Sequence, residues 1–184
     1  PAWPDQPIKL FGAGSDSGTF DYFTEAIVGK SKSSRGDFTA SEDDNVLVQG
    51  VAGDVNAIGY FGYAYYAENT NKIKALPIVE KDGKPAVSPS EQTVLNGTYQ
   101  PLARPIFIYV NAKSLEKPEV KKFVDFYMTQ CAKMAKEVKY VPLPAEAYKT
   151  GLDHIAKGKK GTVFGGKNEV GITITELLKR EAAL

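Results

Sequence analysis

Apolar residues recur along this chain at two alternating periods, which predicts strands interleaved with helices. Residues 8–11 form a short strand candidate that stops at Gly12-Ala13-Gly14, a tight turn. Phe20, Phe23 and Ile27 follow at helical spacing, with Ser17 as N-cap and Gly29 closing the helix. Residues 30–36 are a polar, serine-rich loop. Ser41-x-x-Asp44 reads as a capping box ahead of Val46, Leu47 and Val51, in a helix limited by Gly50 and Gly53. The tyrosine-rich stretch 57–66 reads as a strand running into a helix that ends near Asn69. Residues 73–79 are a further strand, Lys81-Asp82-Gly83-Lys84 is a hairpin-like turn, and residues 90–96 are a short helix. Ile106-Phe107-Ile108-Tyr109-Val110 is a continuous apolar run, which predicts a strand over 104–111 buried on both faces. Pro118 opens the longest helix, with Val120, Phe123, Val124, Tyr127, Cys131 and Met134 on one face. A brief strand at Tyr140 and Val141 is followed by a helix opened by Pro144, with Tyr148, Leu152 and Ile155 inward. Residues 157–166 are loop and 175–184 a terminal helix. The alternation argues for an α/β fold.

Composition narrows the picture. The chain has 184 residues, enough for one domain or two small lobes. Twenty-three basic residues against 22 acidic ones leave a net charge of +1, which disfavours nucleic acid or an anionic membrane as the main partner. No uncharged run reaches the roughly 20 apolar residues of a membrane span. One cysteine, Cys131, permits no internal disulfide, and its place on an apolar helix face suits packing. One histidine, His154, excludes a His-paired metal cluster, so neither a metal nor a cofactor is expected. Pro1, Pro4 and Pro7 make residues 1–7 a stiff linker, and they do not resemble a signal peptide. With no initial Met, the expectation is a processed chain or a fragment, any export signal lying outside it.

The strongest chemical feature is Gly12-Ala13-Gly14-Ser15-Asp16-Ser17-Gly18-Thr19, placed between a strand and a helix. A helix start offers unpaired N–H groups and partial positive charge, which attract an anion. Ser17 and Thr19 add hydroxyl donors and Gly18 permits close approach. The plain alternative is a glycine-rich turn with a serine cap. Near-matches to standard motifs fail: a dinucleotide fingerprint needs glycine at Ser17, and a P-loop ending at Lys30-Ser31 needs glycine at Thr24. Arg35 is the nearby group able to grip an oxyanion with a two-pronged fork. Glu42, Asp43 and Asp44 read as first-turn acids answering a helix dipole. Tyr60, Tyr63, Tyr65 and Tyr66 read chiefly as packing. No nucleophile–base pair is evident, so the chain is expected not to be an enzyme.

Several segments in order resemble one family. They are Asp16-Ser17-Gly18-Thr19-Phe20-Asp21-Tyr22-Phe23, Ser41-Glu42-Asp43-Asp44-Asn45-Val46-Leu47-Val48-Gln49-Gly50-Val51, and Ala57-Ile58-Gly59-Tyr60-Phe61-Gly62-Tyr63-Ala64-Tyr65, then Arg104-Pro105-Ile106-Phe107-Ile108-Tyr109-Val110, Val124-Asp125-Phe126-Tyr127, and Tyr140-Val141-Pro142-Leu143-Pro144. Together they resemble the periplasmic phosphate-binding protein that feeds a bacterial ABC transporter, in its cyanobacterial-type branch. The resemblance implies a two-lobed α/β fold of the periplasmic-binding-protein type II, holding inorganic phosphate between lobes and handing it to a membrane permease. It implies a periplasmic or extracellular setting. Residues 8–100 would be the second lobe and residues 101–184 the return into the first lobe, whose amino-terminal half is absent. That half would be cut away by proteolysis or replaced by another chain completing the lobe. Ser17, Gly18 and Thr19 would hold phosphate oxygens. Many members carry an arginine four residues before the serine; here Ala13 stands there, so Arg35 is assigned the guanidinium role. Asp16 and Asp37 are candidates to accept phosphate's proton. The alternatives are another oxyanion, a phosphate-handling enzyme, or an interaction module presenting Tyr60 to Tyr66.

Overall fold

The computed structural model describes residues 5–184, and the chain divides into two compact units that meet in sequence at Pro77 and Ile78. Pro1 and Pro4 of the expected linker lie outside the described residues. The fold is α/β.

The first unit is built on three parallel strands, β1 (Lys9–Ala13), β2 (Thr39–Ser41) and β3 (Ala57–Tyr60), in the order β2-β1-β3. β1 is central: Phe11 pairs in register with Thr39 on one side and with Gly59 on the other. Parallel neighbours need crossover helices, and these are α1 (Gly18–Val28) and α2 (Asp44–Ala52), with α3 (Tyr63–Glu68) following β3. α2 packs on β1 and β3 through fully buried Leu47 and nearly buried Val48. Its interface is tight, since a Cβ on Gly50 would lie 2.2 Å from the Phe11 ring. α1 turns Phe20 and Thr24 inward and stacks Phe23 on Tyr60, with ring centroids 3.8 Å apart. Ile27, expected on that face, is exposed, because Gly29 ends the helix within half a turn of it and the polar Thr24 takes the inward place. Thr24 can lie buried because its hydroxyl donates to Phe20 O at 2.8 Å and accepts from Lys32 N–H at 2.8 Å, tying the following loop to the helix.

The second unit contains the hairpin β4 (Ile78–Val79) and β5 (Ala86–Val87), α4 (Glu91–Leu95), a single 3-10 turn Ser114–Glu116, and helices α5 (Pro118–Glu137), α6 (Ala145–Ala156) and α7 (Ile174–Ala183). The Lys81–Lys84 turn closes the hairpin, with Lys84 N–H donating to Lys81 O at 3.0 Å. Ser90 caps α4 in a reciprocal box with Thr93. α5 packs on α6, and α6 on α7. Val124 on α5 and Leu177 on α7 are the buried anchors. His154 on α6 approaches Glu181 on α7, Nδ1 to Oε2 at 3.3 Å, with both side chains largely covered.

The structure corrects further expectations in the second unit and at the end of the first. Residues 104–111 form no strand, and Ile106 is 66% exposed and Tyr109 78%. A strand exists only when a neighbour takes its N–H and C=O groups; among the described residues no ladder includes this run. On α5, Phe123 and Met134 are exposed although they share the apolar face; the stripe is wider than the surface α6 covers. Only Ile78 and Val79 of the 73–79 strand are paired. Tyr140 and Val141 form no strand, because Tyr140 is used to close α5. Its N–H donates to Ala135 O at 2.8 Å while that of Lys139 donates to Lys136 O at 3.1 Å, the paired bonds of a Schellman cap.

That cap sets Lys139 at φ 62°, where a side chain crowds its own carbonyl. Lys139→Gly is expected to raise stability by about 1 kcal/mol. A urea melt would show the midpoint rise with unchanged slope; an unchanged or lower midpoint counts against the strain.

Candidate anion site at the start of helix α1

The carboxyl ends of three parallel strands deliver three loops to one edge of the first unit: 14–17 after β1, 42–43 after β2 and 61–62 after β3. This edge is where open α/β sheets hold ligands, because helix starts converge there. The β1 loop is a tight turn in which Ser17 N–H donates to Gly14 O and Gly14 N–H donates to Ser41 O, both at 3.0 Å. Ser17 is the N-cap, extended at φ −84°, ψ 129°, and its Oγ accepts from Thr19 N–H at 3.1 Å. One lone pair of Oγ is thereby used, while the hydroxyl proton remains available. Among the described residues no acceptor meets the Gly18 N–H or the Thr19 hydroxyl, and Gly18 is exposed. The structure thus brings Ser17, Gly18 and Thr19 together as three donors at one helix start.

Glycines shape this edge by what they let approach. A Cβ on Gly12 would stand 2.6 Å from the Tyr60 ring, so only glycine lets that ring lie over the end of β1. The Tyr60 hydroxyl is buried there without a partner, and burial pushes its pKa up. Ala13 is fully buried at the end of β1 and offers no polar group to the loop.

Arg35 is held differently. Its fork embraces Asp37 in the same exposed loop through Nε and Nη2. The hydrogen bond and charge of Asp37 raise the Arg35 pKa further, and Arg35 holds the Asp37 carboxyl below the usual carboxylate range. The structure therefore shows Arg35 and Asp37 paired with each other.

The three acids before α2 do three different jobs, and only one is a first-turn acid. Asp43, rather than Ser41, is the N-cap and accepts from Asn45 N–H at 2.9 Å, because the helix starts two residues later than the Ser-x-x-Asp pattern places it. Asp44 is in the first turn and accepts from Gly62 N–H at 3.2 Å, joining the β3 loop to α2. Glu42 reaches away from α2 to the β1 loop, where its Oε1 accepts from Asp16 N–H at 3.2 Å. Sequence reading missed this contact; the signal for it is Gly14, whose absent side chain makes the space that the carboxylate fills.

Burial raises the Asp44 pKa, and the charges of Asp43 and Glu42 add to this, against the lowering effect of the Gly62 N–H. A raised folded-state pKa means that this contribution to stability is complete below the unfolded value of about 3.9 and is lost as pH rises through the folded one. Asp44→Asn keeps an acceptor for Gly62 and removes the charge. Its stability relative to the parent is expected to rise by on the order of 0.5 kcal/mol between pH 3 and pH 7. Parallel urea melts at the two pH values check this; a constant difference refutes it.

With this geometry in view, residues 1–130 match the PBP superfamily domain, and the chain belongs to that superfamily of binding proteins. It is 53% identical over 180 residues to Protein SphX of Synechococcus elongatus, covering 98% of this chain and 53% of that protein. It is 37% identical over 162 residues to the Phosphate-binding protein PstS of Staphylococcus haemolyticus, covering 86% of this chain and 49% of that protein. Among solved structures it is similar to a possible phosphate binding protein from Planctomyces limnophilus, at TM-score 0.71 and 48% identity, covering 86% of this chain and 56% of that one. The chain spans about half the length of the curated relatives it matches.

Proposed function

We propose that the chain is the ligand-holding part of a phosphate-binding transport component and that inorganic phosphate sits at the start of α1. The observation that carries this is the open Gly18 N–H between the Ser17 and Thr19 hydroxyls, at the ligand edge of a parallel sheet. Phosphate is strongly hydrated, so a site must replace its water with fixed donors; an amide and two hydroxyls held by a helix start do so with little reorganisation. The likeness to the Phosphate-binding protein PstS and to a possible phosphate binding protein supports the choice of ion. In this reading residues 8–100 are the second lobe and 101–184 the return into the first. Arg35 exchanges Asp37 for the bound ion, a swap an exposed arginine makes at small cost. Asp16 or Asp37 accepts the proton that phosphate carries and sulfate lacks. Phosphate is then passed to an ABC transporter permease from a periplasmic or extracellular position, with binding and no catalysis. The exposed apolar run 104–111 and Phe123 on α5 are the surfaces another chain or segment would cover to complete the first lobe.

Calorimetric titration with inorganic phosphate tests this. Micromolar or tighter binding, lost in Ser17→Ala and weakened in Arg35→Ala, is expected. Heat with sulfate or molybdate and none with phosphate would move the assignment to another oxyanion. Hydrolysis of a phosphate ester that depends on Ser17 would move it to an enzyme.

A further inference from the structure

A carboxylate already rests on the loop that leads into α1. The Glu42 carboxylate lies against Gly14 so closely that a Cβ there would be 1.9 Å from Oε1 and 2.5 Å from Cδ. Its Oε1 accepts from Asp16 N–H at 3.2 Å, across 26 positions of sequence and one residue before the α1 cap. The parallel register fixes this approach, since Ala13 pairs with Ser41 and Gly14 N–H donates to Ser41 O. Glu42 is not needed by its own helix, because Asp43 caps α2. Among the described residues it has no cationic partner and no other hydrogen bond. A negative group thus rests on the loop that is proposed to take a negative ligand.

We propose that Glu42 is an intramolecular stand-in for the oxyanion: it occupies the β1–α1 loop when no ligand is bound and must swing away when one enters. This deepens the phosphate reading and rests on it. Two anions seated side by side on one loop repel, so the guest displaces the carboxylate, and every oxyanion loses affinity by the same factor. The exchange is easy, because an exposed glutamate has free rotamers and finds water as its new partner. The carboxylate also keeps the loop in its anion-ready shape between ligands, because the Asp16 N–H already points at a negative oxygen.

The test is calorimetric titration of the chain, Glu42→Gln, Glu42→Ala and Ser17→Ala with phosphate and, separately, with sulfate. An NMR record of the Asp16 amide in anion-free buffer accompanies it. Both Glu42 variants are expected to bind phosphate and sulfate more tightly by a similar factor, on the order of tenfold, the size of a lost competing charge-assisted hydrogen bond. The Asp16 amide should shift in the anion-free variants and, in the parent, on adding phosphate. Unchanged affinity in the Glu42 variants, with Ser17→Ala still abolishing binding, overturns the stand-in and leaves the phosphate site standing. Weaker phosphate but tighter sulfate binding also overturns it, showing a proton acceptor in place of a competitor. If no protein in the set takes up phosphate, both ideas fall together.

Discussion

Gly18→Pro should leave α1 as stable as in the parent and weaken phosphate binding between about tenfold and a hundredfold, the loss of one hydrogen bond to a charged ligand. Proline at the first position of a helix removes an N–H that the helix itself never uses, and its fixed φ suits that place. The residue before it must be extended, and Ser17 is, at φ −84° and ψ 129°. The substitution therefore deletes the proposed ligand amide and little else. Circular dichroism and the thermal midpoint report the helix, and titration with phosphate reports the site. A proline variant that folds normally and binds phosphate as well as the parent would remove the Gly18 amide from the site.

The second large effect is on stability. Leu47→Ala is expected to cost about 3 kcal/mol. Among the described residues Leu47 is the one large side chain that is fully buried, and it sits on α2 where that helix lies over β1 and β3. Relaxation that would fill the cavity is restricted, because Gly50 already rests against Phe11 and Gly59 against Val51. Urea melts should show a lower midpoint with the slope of the parent. A loss under 1 kcal/mol would mean that α2 can settle onto the sheet and that its packing on β1 and β3 is loose. Because α2 also carries Asp43 and Asp44, the variant should loosen the Gly62 contact and weaken anion binding more than any surface change outside the loops.

Much of the local architecture was legible in the sequence. Ser17 and Gly29 mark the two ends of α1 because a hydroxyl acceptor and a residue tolerant of a left-handed turn are local requirements. The Lys81–Lys84 turn, the short helix within 90–96 and the proline-opened α5 follow from equally local chemistry. Apolar content, by contrast, does not name its partner. The run 106–110 is as apolar as a central strand, yet strandedness belongs to a ladder, and the chain spans about half the length of the relatives it matches.

The amino-acid sequence by itself determined the alternation of strands and helices, the donors Ser17, Gly18 and Thr19 at one helix start, and the resemblance to phosphate-binding proteins. The first two are properties of residues within a few positions of one another, and the third is carried by ordered segments from Asp16 to Pro144. Tertiary structure alone decided that Ala13 faces the core and that Glu42 lies on Asp16. Each depends on which strands become neighbours and in what register. The pairing of Ala13 with Ser41 is a long-range event that no local pattern of side chains encodes.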